Sequence, residues 1–150
     1  MEDGLARLQA MVEEEMRRTY SEVAIDHAMN PRNMGRLKDA DGWARYTGPC
    51  GDTMEIWIGI SGDEIEEARF FTDGCGTSMA SGSMVTELAA GKSIDEALEI
   101  GQEDVLDALG GLPEESEHCA LLAATTLKLA IGDYLGRLRE PWRKDYDCHR

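Results

Sequence analysis

Apolar residues recur along this chain first with a helical period, then with a strand period, then with a helical period again. Leu5, Leu8, Val12 and Met16 mark an amphipathic helix over residues 4–18, with Glu13, Glu14 and Glu15 among them as a solvated face. Such a stripe packs on its own domain or on a partner. Residues 21–29 predict a second helix, with Val23, Ala24 and His27 near one face. It ends at Asn30-Pro31, because the residue before a proline is pushed out of the helical region. Residues 36–53 read as a loop punctuated by Gly42, Gly48, Pro49 and Gly51, with a further strand if Trp43 to Thr47 pairs.

Strand periodicity follows. Ile56, Ile58 and Ile60 alternate with Glu55 and Trp57, the pattern of a half-buried strand with the second set facing out. Ser61-Gly62-Asp63 turns the chain, and residues 65–72 return as a second strand carrying Phe70 and Phe71. Residues 76–90 predict a helix with Met84, Val85, Leu88 and Ala89 on a face, closed by Gly91. Ser93-Ile94-Asp95-Glu96 is a capping box opening a short helix, and residues 102–109 form another, stopped by Gly110-Gly111. The last helix starts with Ser116 as N-cap and Cys119 in its first turn. It carries Ala120, Ala123, Leu127, Ile131, Tyr134 and Leu138 as an apolar stripe, and Pro141 ends it. Strands grouped together between groups of helices indicate an α+β fold: a small antiparallel sheet of about three strands packed with helices.

Composition narrows the class. A chain of 150 residues with 42% hydrophobic content is enough for one domain with its own core. No apolar run reaches the roughly 18 residues of a bilayer span. The acidic start Met1-Glu2-Asp3-Gly4 lacks the layout of a signal peptide, so a cytoplasmic location is expected. A net charge of −15 argues against nucleic acid or an anionic membrane as the main partner. It suits a basic protein partner or the attraction of cations.

The four cysteines change the picture most. In a cytoplasmic setting, metal or redox chemistry comes ahead of disulfides. Cys50 lies in the loop Gly48-Pro49-Cys50-Gly51-Asp52, Cys75 lies between two glycines at a strand-to-helix junction, and Cys119 lies in the first turn of a helix. Cys75 and Cys119 are near helix N-termini, where the dipole and free N–H groups favour the thiolate. Together these settings predict three thiols that meet in space and stay partly exposed. Three thiolates and one further donor make a four-coordinate site, and Asp52 and His118 are the candidates for the fourth place. Soft sulfur ligands select zinc or an iron–sulfur cluster, and ligand chemistry alone leaves both open. A permanent iron–sulfur centre is most often held by four cysteines, so mixed ligation suits a centre that is built and given away. A thiol-hydrolase pairing of His118 with Cys119 is disfavoured, because helix neighbours point about 100° apart. His27 reads as structural. Cys148 in the charged tail reads as incidental.

The stretches Tyr20-Ser21-Glu22-Val23-Ala24-Ile25-Asp26-His27 and Asn30-Pro31-Arg32-Asn33-Met34-Gly35 resemble the opening of the IscU/NifU N-terminal family of iron–sulfur scaffold proteins. Cys50-Gly51-Asp52, Ala68-Arg69-Phe70, Gly74-Cys75-Gly76, Thr86-Glu87, Gly91-Lys92-Ser93 and His118-Cys119 resemble that family's later blocks, in order, from about Tyr20 to Gly136. The resemblance implies a SufE/NifU-like fold and a division into an N-terminal helical extension (1–18), a scaffold domain (19–140) and a charged tail (141–150). It implies a protein without enzymatic activity of its own. Sulfur would come from a cysteine desulfurase, iron would join it, and a labile [2Fe-2S] cluster would form and pass to apo-proteins or carrier proteins. Cys50, Cys75 and Cys119 would be the ligands, Asp52 and His118 would compete for the remaining position, and Cys119 would accept the sulfur. Zinc would be an occupant of the apo form.

Departures refine this. Leu112-Pro113-Glu114-Glu115-Ser116 lacks the second proline and the lysine of the block that an Hsp70-type chaperone reads in IscU proteins, which argues against that release route. The SufU type, a zinc-dependent persulfide transferase, has an insertion between its second and third cysteines and no histidine before the third; neither feature is present. A structural zinc module is the remaining alternative. The helix at 4–18 is extra to the minimal scaffold and is suited to homodimer formation or to docking the desulfurase.

Overall fold

The computed structural model describes residues 2–140. Pro141, the tail that follows and Cys148 lie outside the described residues. The elements run α1 (Glu2–Thr19), α2 (Glu22–Met29), β1 (Gly42–Thr47), β2 (Thr53–Ser61), β3 (Glu64–Thr72), α3 (Gly76–Ala89), α4 (Ile94–Leu98), α5 (Gln102–Leu109) and α6 (Glu117–Arg139), with a 3-10 turn (Glu114–Ser116) leading into α6. The sheet is antiparallel in the order β1-β2-β3. The α+β expectation holds, and Trp43 to Thr47 does pair, within a strand at Gly42–Thr47 that shortens the loop read over 36–53, with Tyr46 opposite Met54 and Ala44 opposite Ile56.

Helices α3 and α6 cover one face of the sheet. Met54, Ile56, Ile58, Ala68 and Phe70 point into that layer and meet Val85, Ala123, Leu127 and Ile131 in one core. Each fully buried large side chain contributes about 2 kcal/mol of transfer free energy. Helix α3 is buried along most of its length, which its small residues permit. A Cβ on Gly82 would run into the ring of Phe70, so glycine lets the helix lie directly on the strand. Two buried hydroxyls of α3 are satisfied within the helix: Ser81 donates to the Thr77 carbonyl at 2.8 Å and Thr86 to the Gly82 carbonyl at 2.8 Å. His27 is structural here, with Nδ1 2.7 Å from the Ser83 hydroxyl, which ties α2 to α3.

Several expectations are corrected. Trp57 does not face solvent: it is 4% exposed, flanked in register by Trp43 and Arg69, while Leu37 covers the neighbouring Gly59. The segment at 33–35 reaches this region by bonding the edge of β3, from Gly35 N–H to the Phe70 carbonyl and from Phe70 N–H to the Asn33 carbonyl. Val23 is exposed, whereas Ala24 and His27 are buried. Leu5, Leu8 and Val12 of α1 are also exposed; only near Met16 and Tyr20 does the helix end approach the domain, beside α2 and Cys75. Ser116 precedes α6 but its side chain caps nothing, because the 3-10 turn supplies the helix entry. Finally, Glu114–Arg139 is long and apolar enough to cross a membrane by length and composition, contrary to the expectation from apolar runs. Its apolar side is taken up by the sheet, α3 and α5, as for a core helix.

Candidate metal centre

Three elements bring the candidate residues to one end of the sheet. The turn between β1 and β2 presents Cys50 and Asp52. Gly48 N–H bonds the Asp52 carbonyl at 2.9 Å, Gly51 N–H bonds the Gly48 carbonyl at 3.0 Å, and Gly51 takes φ +91, a conformation that favours glycine. The end of β3 is fastened to this turn. The Thr72 hydroxyl donates to the Thr53 carbonyl at 2.7 Å, and Thr53 N–H donates to an Asp73 carboxylate oxygen at 2.9 Å. Cys75 is then the N-cap of α3, its carbonyl accepting from Met79 N–H at 3.0 Å. Helix α6 contributes His118 and Cys119 from its first turn.

The donors converge unequally. One atom each from Asp52, His118 and Cys119 lies within 4.8 Å of the others. His118 Nε2 is 3.6 Å from Cys119 Sγ, so the ring reaches the sulfur despite the angular offset between helix neighbours. Cys75 joins through a shared hydroxyl: Thr77 Oγ1 is 2.9 Å from Cys75 Sγ and 3.3 Å from Cys119 Sγ. Cys50 stands on the rim, lining a cavity of 190 Å³ with Asp52, His118 and Leu121. The expectation of three partly exposed thiols is corrected for one of them. Cys50 and Cys75 are exposed, but Cys119 is buried at 1% exposure. The first turn of α6 faces inward, onto Thr77 and Ser78.

Sequence reasoning missed those two residues. Their signal was slight: a hydroxyl pair directly after Gly-Cys-Gly, at the start of a helix. Ser78 Oγ donates to Asp52 Oδ2 at 2.9 Å and lies 3.5 Å from Cys119 Sγ.

Exposed Cys75 and buried Cys119 differ in acidity. Burial pushes the Cys75 thiol up, but the Thr77 hydroxyl and the backbone N–H groups of Ser78 and Thr77 outweigh it, so its pKa falls below the ordinary thiol value. Burial pushes Cys119 up; hydrogen bonds from Ser78 and Thr77 oppose this, the charges of Cys75 and Asp52 add to it, and the pKa ends above the ordinary value. Alkylation follows the thiolate. In the metal-free protein, Cys75 is therefore expected to react with iodoacetamide roughly tenfold faster than Cys119 near neutral pH. The rate at Cys75 should level off at a lower pH, measured by peptide mass spectrometry across a pH series. Equal rates and a common pH midpoint would contradict the assignment.

The pattern of the NifU-like N-terminal domain matches residues 19–141. The chain belongs to the NifU-like N-terminal domain family. Within that family, it is 48% identical over 116 residues to the iron-sulfur cluster assembly scaffold protein IscU 1 of Archaeoglobus fulgidus, covering 77% of this chain and 76% of the relative. It is 45% identical over 120 residues to the scaffold protein IscU of Escherichia coli K12, covering 77% of this chain and 93% of the relative. The crystal structure of a nitrogen-fixing NifU-like protein (N-terminal) from Brucella abortus superposes with a TM-score of 0.63, covering 79% of this chain and 96% of that one. At 17% identity this likeness bears on the fold alone.

Proposed function

We propose that this chain is an iron–sulfur cluster assembly scaffold. Sulfur delivered as a persulfide by a cysteine desulfurase, and iron, are its substrates. A labile [2Fe-2S] cluster is assembled on Cys50, Cys75 and Cys119, and apo-proteins or carrier proteins receive it. The observation that carries this reading is the convergence of Asp52, His118 and Cys119, with Cys75 one hydroxyl away and Cys50 on the open rim. That arrangement has soft sulfur donors for iron and a hard oxygen donor that makes the cage exchangeable. The names of the IscU relatives agree with it.

The residues divide the work by exposure. Cys75 is accessible and acidified, and Cys50 is accessible on its turn, so both can meet an incoming partner. Cys119 is reached last and holds the inner side of the cluster. As sulfur acceptor, Cys119 needs the site to open; Cys75 needs no such change. Asp52 and His118 flank Cys119 and compete for the remaining coordination position. The same donors suit zinc in the apo form, since zinc takes sulfur, nitrogen and oxygen ligands tetrahedrally. Helix α1 (Glu2–Thr19) is the N-terminal extension, and its exposed Leu5, Leu8 and Val12 are available to a second copy or to the desulfurase.

Anaerobic reconstitution with iron, cysteine and a cysteine desulfurase tests the proposal. A visible chromophore with near-equal iron and sulfide, transferable to an apo-ferredoxin, is expected. A colourless protein holding about one tightly bound zinc per chain and indifferent to iron and sulfide would overturn it. Persulfide on Cys119 in that colourless protein would select the SufU-type transferase.

A further inference from the structure

The first turn of α3 places inside the site a hydroxyl that the proposed function does not account for. Ser78 is wholly buried. Its two partners come from the β1–β2 turn and from α6, so this one oxygen joins three separate segments. A hydroxyl has one hydrogen and two lone pairs. Its hydrogen goes to the Asp52 carboxylate at 2.9 Å, with the Cys119 sulfur 3.5 Å away as a second, longer acceptor.

Two further observations indicate that the contact is built in. A Cβ on Gly74 would sit 2.5 Å from Ser78 Oγ and 3.0 Å from Asp52 Oδ2, so the backbone leaves that space clear for the pair. Asp52 also follows an exposed glycine on a surface turn. A carboxylate on such a turn samples several rotamers in water, and fixing one of them costs conformational entropy. A hydroxyl already held in place by a buried helix removes that cost before any metal arrives. Thr77 does not duplicate the role, because its hydroxyl lies between the sulfurs of Cys75 and Cys119.

We infer that Ser78 is a positioning residue, whose hydroxyl holds the Asp52 carboxylate against the Cys119 sulfur so that the two meet a metal ion as a preformed pair. The inference rests on the reading of this site as a metal centre and adds what sets Asp52 in place. Ser78 acts through Asp52, so removing either should have one and the same consequence.

The test is a cobalt(II) and zinc titration of the full chain in the wild type, Ser78→Ala, Asp52→Ala and the double variant, against a competing chelator. Ser78→Ala is expected to weaken binding about tenfold, and the double variant to bind no more weakly than Asp52→Ala alone. The ligand-field bands of the Ser78→Ala cobalt adduct should move to those of Asp52→Ala, a change that a loss of packing alone would not produce. Gly74→Ala presses on the same contact from the other side and should shift the bands the same way, which keeps the test open if Ser78→Ala folds poorly. Additive losses, or a wild-type spectrum in Ser78→Ala, would overturn the inference, as would a wild-type chain that binds neither ion. Failure of the scaffold reading is distinguishable. The Ser78–Asp52 coupling can hold in a protein that never builds a cluster, and a cluster can form where the two effects add.

Discussion

Asp52→Ala is expected to lengthen the lifetime of a reconstituted cluster by about tenfold, equivalent to ~1.4 kcal/mol, while Cys119→Ser is expected to leave no stable cluster at all. The two side chains adjoin, yet as the proposed ligands they would behave differently. Cys119 supplies a soft thiolate from a helix turn packed into the core, where a replacement oxygen would be a poor donor for iron–sulfur. Asp52 supplies a hard oxygen from a surface turn, held by a neutral hydroxyl, and such an oxygen exchanges readily. Its loss leaves His118, already 3.6 Å from the Cys119 sulfur, to take the position with a donor better suited to an iron–sulfur cluster than a hard carboxylate is. It also removes a negative charge that pushes the Cys119 thiol up, which favours the thiolate. Decay of visible absorbance under a fixed chelator gives the lifetime, and the rate of transfer to an apo-ferredoxin should fall in parallel. Faster loss in Asp52→Ala would show that the carboxylate holds the cluster instead of releasing it.

The difference between these two residues marks the boundary of what the linear chain reveals. The glycines around Cys50 and Cys75 show locally that each thiol sits where the backbone turns sharply, and the structure leaves both exposed. Nothing local shows that Cys119 is buried, because that depends on α6 facing α3 across the core. Ser78 is a stronger case: both of its contacts lie far along the chain, so its function exists only in the folded state. The sheet follows the same rule. Alternation at Ile56, Ile58 and Ile60 was readable, since it reports one face of one strand. Trp57 broke the alternation because the opposite face is also covered: Trp43 and Arg69 lie beside it in register, and Leu37, from twenty residues earlier, sits at the neighbouring Gly59. Strand β1 was obscured by its glycine punctuation, and Gly42 is there for a reason of packing that no periodicity carries. Helix α1 was legible in period and silent about destination, as its exposed Leu5, Leu8 and Val12 show.

Gly42→Ala is expected to destabilise the fold by about 3 kcal/mol, the upper part of the usual range for overpacking. The added Cβ would overlap the backbone oxygen of Ala130 and stand 3.0 Å from both Ile58 Cγ1 and Tyr134 Cβ. A flexible side chain could turn away from a methyl group. A carbonyl in the middle of α6 cannot, because it is part of the helix ladder. Relief therefore requires strand and helix to separate. That separation would be felt at the other end of the same contact, where β1 leads into the Cys50–Asp52 turn and the start of α6 carries His118 and Cys119. For a domain of this size the melting temperature should drop by about 10 °C, read by circular dichroism. Alkylation of Cys119 should accelerate below that temperature, as the inner thiol gains access to solvent before global unfolding. An unchanged melting temperature would mean that α6 can shift along β1 without loss. In that case the rigid junction of helix and strand would not be what keeps Cys119 buried.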